Sequence, residues 1–319
     1  MIFRLACACL LLAVATLARA QETPVLRVAV LKFGTVNWLT DVIQTRKLDA
    51  AEGFRLETVE LAGRDATSVA FQAGDADLIV ADWIWVMNQR QRGADMRFFP
   101  YSRALGALMV MPGGGVKALC DLRGKTVGVV GGDLDKSWIV YQALAQRDCG
   151  FSLRDEADAV FGAPPLMSRQ LVTGAVAAVS TFWHFAARLE AEGAEKLLGA
   201  DAAIAALGVA PAPPLVGFVW DARRTDPATV AAMGRAVRAA GALMAADEAE
   251  WLRLRPLMQA EDDAAFAALR DAYQAGVVTA PWGAAETEAA RALHATLIAA
   301  GGEGFGRIAG AFDAGAFAE

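Results

Sequence analysis

Gly131, Gly132, Asp133, Asp135, Lys136, Ser137 and Trp138 fall within eight residues, so two carboxylates, an ammonium, a hydroxyl and an indole follow a glycine pair. The run before them, residues 126–130, is β-branched and uncharged, as a buried parallel strand would be. Leu134, Trp138, Ile139 and Ala143 then recur at helical spacing up to residues 148–150. A strand feeding a helix through glycines leaves N–H groups unpaired at the helix start. In an α/β protein those groups face the crevice that holds a small ligand. A strand–turn–helix without any ligand fits the same piece. The glycines match neither G-x-G-x-x-G nor G-x-x-x-x-G-K-[ST], so no nucleotide fingerprint is present and no cofactor is expected.

Catalysis would need a nucleophile with a base, or a metal set. His184 and His294 are the only histidines, neither lies in H-E-x-x-H or another metal spacing, and G-x-S-x-G is absent. Residues 261–263, Glu-Asp-Asp, read as a solvated helix face. No catalytic and no metal-ligating residue is therefore assigned, and the protein is expected not to be an enzyme.

The elements that must position these groups follow a βα rhythm. Residues 26–31, 54–61 and 77–81 read as strands, with helices through Trp38, Val42 and Ile43, over 65–73, and from 82 to about 92. Thr35 or Asn37 would cap the first helix. A second round runs through strands at 104–111, 126–130 and 176–180, with helices after Gly132, over 168–173, and from 184 to 192. Pro211, Pro213 and Pro214 mark a linker before a strand at 215–220, and from Asp226 the chain is helical, with breaks near Pro256, Pro281 and residues 301–302. This order predicts mostly parallel sheets with helices on their faces.

The two rounds share an offset of 100 residues: Trp38 answers to Trp138, Gly74 to Gly174 and Trp83 to Trp183. Each of these tryptophans stands just past a predicted strand. Two similar lobes facing each other would turn the four rings toward one crevice.

Residues 1–4 carry one positive charge, 5–17 are apolar, and 18–20 read Ala-Arg-Ala, the form of a secretory signal cut near Ala20. Cys7 and Cys9 lie too near the start to be lipid-attachment sites. Taking Arg4 and Arg19 from the 30 basic residues leaves 28 against 36 acidic ones, a net −8, which argues against nucleic acid and anionic membranes as partners. Cys120 precedes the strand at 126 and Cys149 ends the helix that returns antiparallel to it. Both sit at one end of a strand–helix unit, which favours a disulfide over two unrelated thiols.

The export signal, the first strand, the helix-to-strand step at 73–80, the stretch Lys-Ala-Leu-Cys-Asp-Leu-Arg-Gly-Lys-Thr-Val-Gly-Val at 117–129, residues 171–193 and the helical tail form a set. In them the chain resembles the periplasmic substrate-binding proteins of ABC importers, closest to the group for aliphatic sulfonates, taurine, nitrate and thiamine-precursor pyrimidines. The resemblance implies an α/β, type II periplasmic-binding-protein fold: two lobes joined by two crossing segments, with the ligand between them. It places lobe 1 at 21–104 plus 221–319, lobe 2 at 105–220, and the crossings near 101–105 and 218–221. It also implies a monomer in the periplasm whose partners are a small-molecule ligand and the subunits of an ABC permease.

The family's ligand loops fall on residues 34–38, 82–83, 132–138 and 181–184. The site would therefore comprise Thr35, Asn37, Trp38, Asp82, Trp83, Asp133, Asp135, Ser137, Trp138, Thr181, Trp183 and His184, with Arg103 at the first crossing. Relatives for small anions carry hydroxyls and glycines where this chain brings Asp133 and Asp135, which argues against a bare sulfonate or nitrate. Aromatic rings beside these polar groups suit an organic molecule with a flat or apolar part: an amine, a pyrimidine-like ring or a metal chelate. Two other roles fit the fold, a sensor or accessory protein without a transporter and a pyrimidine-handling enzyme. The enzymes of that kind depend on a cysteine-rich motif absent here.

Overall fold

The computed structural model describes residues 23–318 apart from Phe33, Thr279 and the side chain of Arg64. The expected leader, its cut near Ala20, Cys7 and Cys9 lie outside the described residues.

The first lobe opens with β1 (Val25–Leu31), α1 (Val36–Thr45), α2 (Leu48–Ala51), β2 (Arg55–Leu61), α3 (Arg64–Ala73), β3 (Leu78–Asp82), α4 (Trp83–Gln91) and β4 (Met96–Ser102). The second lobe follows with β5 (Ala107–Val110), β6 (Thr126–Val130), α5 (Lys136–Asp148), α6 (Leu153–Glu156), β7 (Asp158–Gly162), α7 (Pro164–Val172), β8 (Ala178–Thr181), α8 (Trp183–Ala191), β9 (Glu195–Gly199) and α9 (Ala200–Ala206). Strand β10 (Val216–Asp221) returns the chain to the first lobe. Helices α10 (Pro227–Ala246), α11 (Glu248–Met258), α12 (Asp263–Ala275) and α13 (Ala284–Ala309) then form a tail. Gly302 breaks the backbone inside α13, where the sequence predicts a break.

The two sheets repeat one plan, β2-β1-β3-β10-β4 and β7-β6-β8-β5-β9. In each, the fourth strand is antiparallel to its neighbours. The reason is directional. The parallel strands of both sheets end at the crevice between the lobes, so a strand arriving from the other lobe enters at that edge and must run the opposite way. The 100-residue offset holds in the elements themselves: helices start at Val36 and Lys136, at Arg64 and Pro164, and at Trp83 and Trp183.

One boundary needs correcting. Val216 lies opposite Asp82 and Ser102 in the first sheet, so the return crossing falls within residues 207–215 and not at 218–221. The second lobe accordingly ends before Val216. Strands β7 and β9, Asp-Ala-Val-Phe-Gly and Glu-Lys-Leu-Leu-Gly, escaped the sequence reading. They are the edges of the second sheet, half exposed, and need no continuous apolar run.

Cys120, in a 3-10 turn before β6, and Cys149, capping α5, form the expected disulfide, with their Cα atoms 5.4 Å apart. It closes a loop of sequence separation 29. Replacing both cysteines by alanine is expected to lower unfolding free energy by about 3–4 kcal/mol. Urea midpoints measured on the two proteins test this. A loss below about 1 kcal/mol would mean the bond constrains nothing that the packed strand–helix unit does not already hold.

Candidate functional site

The crevice is built from strand ends and helix starts. Asp82 ends β3 and caps α4, its Oδ1 accepting from Trp85 N–H at 2.9 Å. Asp135 does the same for α5, accepting from Trp138 N–H at 3.1 Å. Both carboxylates satisfy donors that the helices would otherwise leave open, and they favour the positive helix ends. Lys136, at the first turn of α5, crosses the crevice and sets its Nζ 2.8 Å from Asp82 Oδ2. The pair is partly exposed, so its direct contribution is about 1 kcal/mol or less. It nevertheless joins the two lobes at the strand ends.

The four tryptophans do not share one space, which corrects the expected common lining. Trp38 and Trp183 meet across the lobes, perpendicular and 6.0 Å apart, with Tyr273 of α12 at 5.6 Å from Trp38 and 6.0 Å from Trp183. Trp251 of α11 packs on the same group, 6.3 Å from Trp38. Of the four rings only Trp183 keeps appreciable exposure. Trp83 and Trp138 are fully buried. Trp83 donates its Nε1–H to Pro214 O at 3.0 Å and faces His294, Phe312 and Phe317. Both belong to the core built around Leu293, Leu297 and Phe305 of α13. The strand-end position brings these side chains to the rim, and the tail then covers them.

Several expected ligand contacts are occupied by the protein itself. Asn37 Nδ2 donates to Leu31 O at 2.9 Å and to Lys32 O at 3.0 Å, closing its own loop. Thr35 shares a hydrogen bond with Tyr101, whose hydroxyl burial pushes to higher pKa. Arg103 is a hinge residue: its N–H donates to Gly276 O at 2.7 Å, and its guanidinium reaches Ala212 O at 3.2 Å and Glu286 Oε1 at 3.1 Å. It thereby ties both crossings to the start of α13. Asp133 pairs with Arg154 at 3.2 Å inside lobe 2, with both side chains well exposed. No expected carboxylate therefore stands unengaged toward a ligand cation.

The groups left open are neutral. Thr181 Oγ1 and His184 Nδ1 are buried without a hydrogen-bond partner among the described residues. Ser137 Oγ comes close to Gly106, on the first crossing, where a side chain would collide with the Thr181 carbonyl oxygen. Glycine is thus required where the crossing passes the end of β8. His184 lies among Phe182, Trp183 and Phe185. Burial, with Arg188 nearby, lowers its pKa to about 4, so the ring is uncharged at neutral pH. Arg188 itself escaped the sequence reading. It reaches from α8 to Met258 O at 2.8 Å and Gln259 O at 2.9 Å, at the negative end of α11. Tyr273, Trp251 and Arg188 could be assigned to helices from periodicity, but no local pattern says which flank those helices cover.

Two α/β lobes, two crossings and a crevice of strand ends define the type II binding-protein fold of ABC import substrate-binding proteins. The chain belongs to the NMT1/THI5-like family, which matches residues 44–250. No curated protein matches it in sequence. Among solved structures it is similar to the periplasmic aliphatic sulphonate binding protein of Escherichia coli, with a TM-score of 0.68 and 17% identity over 86% of this chain and 85% of that one. The alkanesulfonate-binding protein of Xanthomonas axonopodis pv. citri, bound to MOPS, matches with a TM-score of 0.63 and 18% identity over 88% and 94% of the two chains. A desulfurization enzyme shares the fold, at a TM-score of 0.57 and 16% identity over 86% and 92%.

His184 generates a pH prediction. Unfolded, its imidazole takes a proton near 6.5; folded, it stays neutral down to about 4. Acid thus favours the unfolded chain. The stability present above pH 6.5 is lost as pH falls from 6.5 to 4, by up to about 3 kcal/mol. His184→Gln should flatten that part of the profile in urea unfolding between pH 7.5 and 4.5. Identical pH profiles for the two proteins would refute burial of a neutral imidazole.

Proposed function

We propose that this protein is a non-catalytic solute receptor of the periplasm that takes a small organic molecule into the interlobe crevice and delivers it to an ABC permease. The observation that carries the reading is the cross-lobe Trp38–Trp183 contact beside two buried polar atoms of lobe 2, Thr181 Oγ1 at the end of β8 and His184 Nδ1 at the start of α8, that have no hydrogen-bond partner among the described residues. Buried polar atoms without partners are uncommon in folded proteins, and a ligand that hydrogen-bonds them removes the cost. The chemistry suits a ligand with a flat apolar part and neutral donors or acceptors. An anionic group would have to draw Lys136 away from Asp82. The apolar leader at residues 1–20 supports export.

An enzyme would need a base beside a nucleophile. His184 is ringed by aromatic side chains, and His294 Nε2 lies 3.1 Å from Gly310 O. Cys120 and Cys149 are joined. The binding role is therefore favoured over the activity of the enzyme that shares the fold.

The test is a thermal-shift screen of pyrimidines, amines, sulfonates and metal chelates on the mature chain. At a hundredfold excess over its dissociation constant a true ligand stabilises the fold by about 2.7 kcal/mol. Thr181→Val and His184→Gln should each weaken the hit about tenfold. Mass spectrometry should return it unchanged. Turnover of the hit, abolished by His184→Gln, would overturn the receptor reading.

A further inference from the structure

A second cavity lies in the first lobe, apart from the crevice. It has a volume of about 320 Å³ and sits between the β4–β10 pair, one face of α10 and the segment around Trp282. Phe99, Pro100, Trp220 and Trp282 supply apolar, mostly flat walls. On α10, Gly234 leaves the floor open: a Cβ built there would meet only Arg238 Nη1, at 3.5 Å.

Two side chains that border this apolar space carry polar groups without partners among the described residues. The Trp220 ring is 4% exposed, and its Nε1–H, enclosed by protein, has no acceptor among the described residues. Arg238, half-buried one helical turn beyond Gly234, lines the cavity with no carboxylate partner among the described residues. Its neighbour Arg235, in contrast, is paired with Glu52 at 2.7 Å. A half-buried guanidinium without a counter-ion among the described residues, in a chain of net charge −6, is complementary to an anion. Flat apolar walls and one unpaired cation together describe a receptor for an amphipathic organic anion.

We propose that this cavity is a second ligand site, independent of the crevice, for a small organic carboxylate or sulfonate with a flat apolar body. The head group would lie on Arg238 and the body against Trp220 and Trp282. Val278, Ala280, Pro281 and Trp282 border the cavity, and Gly276, just before them, holds the first crossing, since its O accepts from Arg103 N–H. The site is thus placed next to the hinge.

The probe is 2-naphthoate, with 2-naphthylmethanol as its uncharged counterpart, measured by equilibrium dialysis on the full mature chain. Saturable one-to-one binding of naphthoate is expected, at least about tenfold tighter than the alcohol. Arg238→Gln should remove that preference. Gly234→Leu, which fills the floor, should abolish binding while circular dichroism and melting show a folded protein. Should Gly234→Leu fail to fold, Arg238→Gln carries the test. Trp183→Ala, in the crevice, should leave naphthoate binding unchanged. Absence of saturable binding overturns the proposal. So does binding that survives Arg238→Gln with its charge preference intact, or that is lost in Trp183→Ala, which would place naphthoate in the crevice.

Discussion

The parallel strands of both sheets end at the same crevice, and the rest of the molecule follows from that constraint. Chain passing between lobes must enter each sheet at its crevice edge, so β5 and β10 run antiparallel to their neighbours. Helices that follow the parallel strands present their N-termini to the same space. Asp82 and Asp135 cap two of them, and Lys136 can then reach Asp82 because the capped ends face each other. The cross-lobe ion pair is a consequence of strand direction more than a source of stability.

The C-terminal tail makes the two flanks of the crevice. On one, Trp251 and Tyr273 complete a group with Trp38 and Trp183. On the other, α13 covers Trp83 and Trp138, and Gly301 lets it approach Ile139 of α5 closely. Each edge-to-face ring pair adds about 0.5–1.5 kcal/mol beyond the area it buries. Together with the Arg188 contacts to the end of α11, these pairs couple lobe 2 to a tail that starts from lobe 1. Any separation of the lobes must break one of these flanks or carry the tail along. Opening of the crevice is therefore governed by the tail as much as by the two crossings.

The duplicated plan also explains why equivalent residues differ in role. Trp38 and Trp138 hold the same place after the equivalent strands β1 and β6, as Trp83 and Trp183 do after β3 and β8. Their surroundings differ because only one tail exists. It covers one pair with the long apolar α13 and the other with shorter aromatic helices, which leave Trp183 partly exposed.

By itself the sequence determined the βα order, the similarity of the two rounds, the Cys120–Cys149 pairing and the loops that reach the crevice. Each is written in short-range periodicity, in glycines at turns and in spacing along one strand–helix unit. The edge strands β7 and β9 were not legible, since a half-exposed edge imposes little pattern. Nor was the position of β10, because an apolar run does not state which sheet it joins. Only the tertiary structure decided which crevice residues stay available. Asn37, Arg103, Asp82 and Asp133 are spent on partners as near as their own loop or as distant as Glu286, and Trp83 and Trp138 are buried under a helix more than 140 residues further on. Availability depends on what packs over a side chain, and long-range packing has no local signature in the chain.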